Sequence, residues 1–208
     1  MASRVPTLIG ISGGRGSGKD TAYGIISEWA GENNLTSARR AFADPLKWSF
    51  ARIWFPDISL EDAVEWCEKI KHNSVIDAGN GVSVTGRQAL QHYGYEAHRE
   101  IFGESFWIDQ VVPITNWRDK FSNDGRLTDI CVVTDVRFEN EARRIRDAGG
   151  VVWNIERDTG IIDSHSSEAG IEKSLIDYTI INTDLAGFKA QVKNLTDVAV
   201  SRKVEINV

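Results

Sequence analysis

The sequence predicts a three-layer α/β/α fold in which helices cover both faces of a sheet of about five parallel strands. Strand-like apolar runs alternate with helical stretches along most of the chain, as in a doubly wound sheet. The run at residues 130–133 is continuously apolar, which is typical of a strand buried on both faces. Ligand-binding residues are therefore expected just beyond the carboxyl ends of the strands.

The stretch from Leu8 to Thr21 is predicted to be a strand, a glycine-rich turn and the start of a helix. Gly13, Gly18 and Lys19 have the G-x-x-x-x-G-K spacing of a phosphate-binding loop. The N–H groups of such a loop surround phosphate oxygens, and its lysine reaches the terminal phosphates. A glycine-rich turn without a ligand is the alternative, and it does not account for the lysine. Asp20 stands where Ser or Thr normally binds magnesium.

The middle of the chain is predicted to be mainly helical. Pro45 suits the first turn of a helix, because its fixed φ is already helical. Ser59, with Asp62 three residues later, and Thr85 can each cap a further helix. The predicted elements are a first helix that ends near 31–34, a strand at 37–43, helices after Pro45, at 59–71, 85–101 and 106–112, and a loop or short hairpin at 73–85.

The second half of the chain returns to alternating strands and helices. Gly149 and Gly150 form a strong stop signal for the helix before them. The predicted elements are strands at 129–135, 151–155 and 178–182 and helices at 139–148 and 184–195.

The composition favours one globular domain. The 208 residues are 41% hydrophobic and 26% charged, which is ordinary for such a protein. The net charge of −6 argues against a general nucleic-acid binder, because duplex affinity depends on basic surface. No apolar run has the length of a membrane span and no signal-peptide pattern is seen, so a cytoplasmic protein is expected. Cys67 and Cys131 are expected to be buried free thiols.

A second informative block begins at Asp135, where an apolar strand ends in a carboxylate. Beside a phosphate loop, such a residue commonly positions magnesium or its water. The alternative is an aspartate that caps the following helix. Arg137, two residues further on, is placed to reach a phosphate.

These motifs together resemble the phage-type deoxynucleoside monophosphate kinase family of P-loop kinases. The resemblance covers nearly the whole chain in the expected order and is much more specific than the phosphate loop alone. It also accommodates Asp20, because G-K-D-T looks like the form that this family uses. The matching stretches are 16–21, 42–47, 86–91, 135–138 with 140–141, and 165–168.

The resemblance implies transfer of the γ-phosphoryl group of ATP to a deoxynucleoside 5′-monophosphate, with Mg²⁺, on a sheet of strand order 2-3-1-4-5. It implies one domain over 1–208, with a helical acceptor-binding insertion at about 44–120 and a lid at about 157–175. The partners would be small-molecule nucleotides, and the location the host cytoplasm if the protein is phage-encoded. Tryptophan-rich surface in the insertion suggests a homodimer.

The motifs and the resemblance assign the site residues. Catalytic roles fall to Lys19, Asp135, Arg137 and Arg157. The ATP phosphates would be bound by Gly13, Gly14, Gly16, Ser17, Gly18, Lys19, Asp20 and Thr21, and the metal by Asp20, Thr21 and Asp135. The acceptor would be bound by Asp44, Lys47, Arg87, Gln91, Arg99 and Trp107, and the lid would contribute His165 and Glu168.

Several alternatives remain open at this stage. Arg87 and Arg99 can instead form surface salt bridges, and Trp107 can instead pack in the core. The nearest rival function is another small-molecule P-loop kinase, such as a phosphomevalonate or dephospho-coenzyme A kinase. A protein of a different class would be a switch that hydrolyses a nucleoside triphosphate to change partners.

Overall fold

The computed structural model describes residues 6–73, 75–77, 81, 83–123, 126–158 and 171–205. The chain divides into two compact units, of which the first comprises Met1–Ala41 and Val112–Val208 and the second comprises Phe42–Val111. The second unit overlaps the segment at about 44–120 that the sequence assigns to the acceptor. That assignment and the single-domain organisation stay predictions.

The first unit is built on a five-stranded parallel sheet. Counted in chain order, the spatial order of its strands is 2-3-1-4-5, so the predicted fold class and strand order are confirmed. The strands are β1 (Thr7–Gly13), β2 (Ser37–Arg40), β3 (Ile130–Val136), β4 (Val151–Glu156) and β5 (Tyr178–Ile181).

The described residues form seven α-helices of six residues or more, which are distributed over both units. They are α1 (Lys19–Glu32), α2 (Asp44–Ala51), α3 (Leu60–Asn73), α4 (Gly86–Gly94), α5 (Phe106–Val111), α6 (Glu139–Asp147) and α7 (Leu185–Glu205). A π-helical turn at Tyr95–Arg99 and a short α-helical turn at Glu100–Phe102 continue α4. Short 3₁₀ turns lie at Trp117–Phe121 and Lys173–Leu175.

The core of the first unit lies between the sheet and helices α1 and α7. Ile11, Ile26, Trp153 and Phe188 are almost fully buried there and belong to one apolar cluster. Burial of side chains of this size contributes about 1.5–3 kcal/mol each to folding. This core fixes the position of β1, which leads into the phosphate loop, and of the strands beside it.

Strand register brings the predicted ligand-binding residues to one edge of the sheet. Ser12 of β1 lies beside Val136 of β3, and Gly13 lies beside Ile155 of β4. Since the three strands are parallel, their carboxyl ends meet on either side of the phosphate loop.

Helices α2, α3 and α4 form the second unit around a separate apolar cluster. Both predicted caps are confirmed. The Ser59 hydroxyl accepts a hydrogen bond from the Asp62 N–H at 3.1 Å. The Thr85 hydroxyl accepts one from the Gln88 N–H at 3.2 Å. The buried members of the cluster are Phe50, Ala51, Ala63, Cys67, Ile70 and Leu90.

The two cysteines are buried free thiols, as predicted. Burial raises the pKa of the Cys67 thiol to about 11. The thiol therefore stays protonated near neutral pH, and the thiolate that acts as a nucleophile or metal ligand is scarce.

Two elements differ clearly in length from their predictions. Strand β2 ends at Arg40 instead of 43, because Ala41 to Ala43 turn into α2 and the Ala43 carbonyl accepts the Lys47 N–H at 3.0 Å. Helix α7 continues to Glu205, since Ala199 and Val200 pack in the core. At 73–85, where a loop or short hairpin was predicted, the described residues favour the hairpin, because Val75–Asp77 pairs antiparallel with Ser83–Thr85.

None of the helices in the described ranges has both the length and the apolar character that crossing a membrane requires.

Candidate functional site

The phosphate loop connects β1 to α1 in the middle of the sheet. Three of its glycines have positive φ angles, of 142° at Gly13, 75° at Gly16 and 110° at Gly18. Side chains rarely tolerate these conformations, so the glycines let the backbone wrap closely around a ligand. The loop leads directly into the amino-terminal end of α1, which favours an anion.

Lys19 lies across this loop. Its Nζ atom donates hydrogen bonds to the carbonyl oxygens of Gly13 at 2.7 Å and Gly14 at 2.9 Å. The ammonium group is therefore held at the loop by acceptors that phosphate oxygens can replace. The binding of ATP phosphates by Lys19 stays a prediction.

Ser17 and Asn182 support the loop from the side of β5. Asn182 Nδ2 donates to the Ser17 carbonyl oxygen at 2.7 Å, and the Asn182 N–H donates to the Glu156 carbonyl at 2.8 Å. Ser17 is only 2% exposed, and its hydroxyl has no hydrogen-bond partner among the described residues. Asn182 lies just beyond the end of β5, where the sequence predicts ligand-binding residues. Its bond to Ser17, which makes it a positioning residue for the loop, is shown only by the structure.

We expect Asn182→Ala to raise the KM for the nucleotide donor about tenfold, since a buried carbonyl loses its donor and the loop loses a support. Steady-state kinetics with a varied donor concentration measure the effect. Gln191→Ala is the matched control, because its amide bonds the β5 backbone at Ile181 and does not reach the loop. Equal donor KM values for the two variants would refute the role of Asn182.

The carboxyl end of β3 carries Asp135 on the other side of the loop. In the turn before the next helix, the Glu141 carboxylate accepts hydrogen bonds from the N–H groups of Arg137 at 2.7 Å and Phe138 at 3.1 Å. Helix α6 begins at Glu139 with Phe138 as its N-cap, so Asp135 does not cap it. The half-buried Asp135 is thus retained as a candidate site residue.

Two further polar groups mark this end of the sheet. The Thr134 hydroxyl is buried and has no hydrogen-bond partner among the described residues. Arg137 is exposed at the start of the turn that follows β3. Its guanidinium group is therefore accessible to a phosphate from solvent.

The residues proposed for the metal differ in their surroundings. The Asp20 side chain is 86% exposed, and its Oδ1 atom lies 3.5 Å from Arg39 Nε. Thr21 is also exposed. Within the described ranges, no group of three or more His, Cys, Asp or Glu side chains is arranged to hold a metal ion. Oxygen donors on one or two carboxylates nevertheless fit Mg²⁺, which usually takes its other ligands from phosphates and water.

A pocket of about 540 Å³ opens beside the phosphate loop at the carboxyl ends of β4 and β5. Its size is in the range of small-molecule sites. Arg157, predicted to be catalytic, is exposed and lines it together with Gly14 of the loop. The other lining residues are Asn154, Ile155, Glu156, Asp158, Ile181, Asn182 and Thr183. The predicted lid residues His165 and Glu168 lie outside the described residues.

The residues predicted to bind the acceptor lie in the second unit. Lys47 Nζ is 3.0 Å from Glu68 Oε1, and Arg87 is half-buried in the first turn of α4. Sequence reasoning missed Lys71, which is close enough to both Lys47 and Arg87 for their charges to lower its pKa. Asp44 is buried, Gln91 is exposed and Arg99 is half-buried.

Trp107 is 3% exposed, and its indole Nε1 donates to the Gly94 carbonyl at 2.9 Å. This environment suits packing in the core, which is the alternative to a role in acceptor binding. The sequence-based assignment of Trp107 to the acceptor stays a prediction.

Comparison with known proteins gives concordant matches. A sequence model of the family described as "Deoxynucleotide monophosphate kinase" matches residues 57–192. The chain is 30% identical over 207 residues to a "Putative deoxynucleotide monophosphate kinase" of Acanthamoeba polyphaga mimivirus, covering 92% of this chain and 97% of the relative. It is 23% identical over 249 residues to the "Deoxynucleoside-5'-monophosphate kinase" of Escherichia phage T5, covering 92% and 96%.

Proposed function

Because the chain belongs to the deoxynucleotide monophosphate kinase family, we propose that it transfers the γ-phosphoryl group of ATP to deoxynucleoside 5′-monophosphates and releases the diphosphates. Membership makes it a phosphotransferase that acts on deoxynucleoside monophosphates and uses nucleotides as substrates. Family membership does not specify the donor or the metal ion, and we propose that these are ATP and Mg²⁺. The observation that carries them is the phosphate loop with Lys19 across it, between the ends of β3 and β4.

Phosphoryl transfer needs little covalent participation by the protein, and it depends on in-line placement and on neutralisation of charge. In the proposed mechanism, the loop N–H groups and Lys19 bind the β- and γ-phosphates of the donor. The pocket beside Arg157 takes the donor's nucleoside, and the Arg157 guanidinium is available to the phosphates. Arg137 offers a second guanidinium group at the end of β3.

Asp135 is the residue best suited to hold Mg²⁺, directly or through water, because it ends a strand next to the phosphate loop. Asp20 or Thr21 would complete the site from the first turn of α1. A bound Mg²⁺ would supply positive charge to the β- and γ-phosphate oxygens.

The second unit is proposed to bind the acceptor, with Lys47 and Arg87 as phosphate ligands. Guanidinium and ammonium groups remain charged and match phosphate oxygens. Asp44, Gln91, Arg99 and Trp107 are the remaining proposed acceptor residues. The lid role of His165 and Glu168 rests on the sequence alone.

Turnover against all eight ribo- and deoxyribonucleoside monophosphates, with ATP and Mg²⁺, tests this function. We expect ADP formation that depends on the acceptor, with at least one deoxynucleoside monophosphate converted to its diphosphate. Phosphorylation of phosphomevalonate or dephospho-coenzyme A, but of no deoxynucleoside monophosphate, would contradict the proposal. ATP hydrolysis at a rate that does not depend on the acceptor would indicate a nucleotide-driven switch.

We also propose that the protein is a cytoplasmic homodimer that does not bind nucleic acid. The dimer is supported by exposed apolar side chains in the second unit, namely Trp48, Ile53, Trp54 and Phe55. Light scattering measures the mass in solution, and a monomer would refute the dimer.

A further inference from the structure

Two lysines of the second unit converge on a single carboxylate. Lys47 Nζ on α2 lies 3.0 Å from Glu68 Oε1, and Lys71 Nζ on α3 lies 3.4 Å from Glu68 Oε2. His72, also on α3, has its Nε2 atom 4.0 Å from the same oxygen. Glu68 is therefore shared by cations from two helices.

Arg87 brings a third positive charge to this cluster from α4. Helix α4 begins in direct contact with α3, because a Cβ atom at Gly86 would lie 2.3 Å from the Ile70 carbonyl oxygen and 3.0 Å from the Lys71 nitrogen. Only glycine allows this approach without a shift of the backbone. Arg87 follows directly and is close enough to Lys71 to act on its pKa.

The cluster is short of negative charge. Only 15% of the Lys47 side chain and 26% of the Lys71 side chain are exposed, so both ammonium groups have lost much of their water. Burial lowers the pKa of Lys71, Glu68 partly offsets this effect, and Lys47 and Arg87 lower the pKa further. Burial acts to raise the pKa of Glu68, but Lys47 and Lys71 outweigh it and the pKa is lowered. At Lys71, the single carboxylate of Glu68 is thus set against the positive charges of Lys47 and Arg87.

A phosphate monoester dianion has the charge and the acceptor oxygens that this cluster lacks. Its three terminal oxygens can each accept from an ammonium or guanidinium group. The amino-terminal end of α4, formed by the same Gly86 and Arg87, favours an anion as well. The acceptor substrate of a nucleotide kinase carries one such phosphate.

We propose that Lys71 binds the 5′-phosphate of the acceptor nucleotide together with Lys47 and Arg87, and that Glu68 is a stand-in anion which the phosphate displaces. This inference rests on the proposed function and extends it. In the free protein, Glu68 holds the two lysines in place for the substrate. On binding, the phosphate takes over these contacts and Glu68 turns to solvent, to which 41% of its side chain is already exposed. Glu68 therefore competes with the acceptor for the lysines.

The first test replaces Lys71 by methionine, which keeps the length of the side chain and removes its charge. We expect the KM for the deoxynucleoside monophosphate to rise roughly 10- to 100-fold, as for loss of one charged hydrogen bond, with the KM for ATP changed less than about twofold. Lys69→Met is the matched control. Lys69 lies on the same helix, is 70% exposed and pairs only with Glu65 among the described residues, at 2.7 Å.

The second test replaces Glu68 by glutamine and measures binding by titration calorimetry. We expect the affinity for the deoxynucleoside monophosphate to increase about three- to tenfold, because the competing charge is gone. Affinity for the corresponding deoxynucleoside, which has no phosphate, should not change. Glu65→Gln is the control and should leave both affinities as they are.

The outcomes separate this inference from the function on which it rests. If the wild-type protein phosphorylates no deoxynucleoside monophosphate, the proposed function fails. If it does so and Lys71→Met keeps the acceptor KM, or Glu68→Gln binds the monophosphate more weakly, only this inference fails. Should Lys71→Met unfold, Glu68→Gln decides the matter, and an affinity for the monophosphate no higher than that of the wild type would overturn the inference.

Discussion

Replacing Lys19 by methionine is expected to lower kcat about 10²- to 10³-fold, while the free energy of unfolding changes by less than about 1 kcal/mol. The ammonium group of Lys19 bonds two carbonyl oxygens of the loop in the free protein. In the reaction it would neutralise the negative charge that develops on the transferring phosphoryl group. The effect on catalysis should therefore greatly exceed the effect on stability.

Single-turnover kinetics at saturating ATP and acceptor measure the loss of Lys19, and urea denaturation measures stability. Lys189→Met is the matched control in the same unit. Lys189 lies on α7 and pairs with Glu28 at 2.8 Å on the surface. Since exposed pairs of this kind contribute little, both activity and stability should stay near the wild-type values. A Lys19→Met protein with more than a tenth of the wild-type kcat would contradict the assignment.

Replacing Gly13 by alanine is expected to lower the free energy of unfolding by about 2–4 kcal/mol and to abolish tight donor binding. Gly13 has a φ of 142°, a conformation that alanine rarely adopts. An added Cβ atom would also lie 2.5 Å from the Ile155 carbonyl oxygen and 2.7 Å from Ser17 Oγ. Both neighbours belong to the sheet edge and the loop, so relief of the clash must move the phosphate site itself.

Urea denaturation gives the stability of the Gly13→Ala protein, and calorimetric titration with ATP gives its donor affinity. Gly24→Ala is the control, because Gly24 is exposed on α1 and a Cβ atom there would meet nothing within 4 Å. Alanine favours a helix over glycine, so Gly24→Ala should stabilise the protein by about 0.5–1 kcal/mol. Wild-type stability and ATP affinity in Gly13→Ala would show that the loop tolerates a side chain and would refute its role as a close-fitting cradle.

Much of the fold follows from local sequence signals. The apolar run that ends at Asp135, the glycine stop after α6 and the caps at Ser59 and Thr85 each act over a few residues, so they are readable without knowledge of packing. The least accurate predictions concern element ends. Helix α7 continues to Glu205 because Ala199 and Val200 pack against the distant core, and no local signal reports such burial.

Candidate site residues that belong to a sequence motif could be predicted. Contacts between side chains from distant parts of the chain could not. Lys19, Asp135 and Arg157 follow directly from motif spacing and strand ends. The bond from Asn182 to Ser17 joins residues 165 positions apart. Glu68 and Lys71 belong to none of the sequence motifs, and the proposed anion site rests on the proximity of Lys71 to Glu68 and Arg87 and of Glu68 to Lys47.

The sequence by itself determined the fold class, the strand order through the family resemblance, and the phosphate loop, because these depend on short patterns of glycine, lysine and apolar residues. The tertiary structure alone decided which charges share a counter-ion and which residue supports the loop. Those relations depend on distances between elements far apart in the chain. The contact of Gly86 with α3 illustrates the reason. Because Gly86 has no side chain, α4 begins against α3, and the next residue, Arg87, comes close to Lys71.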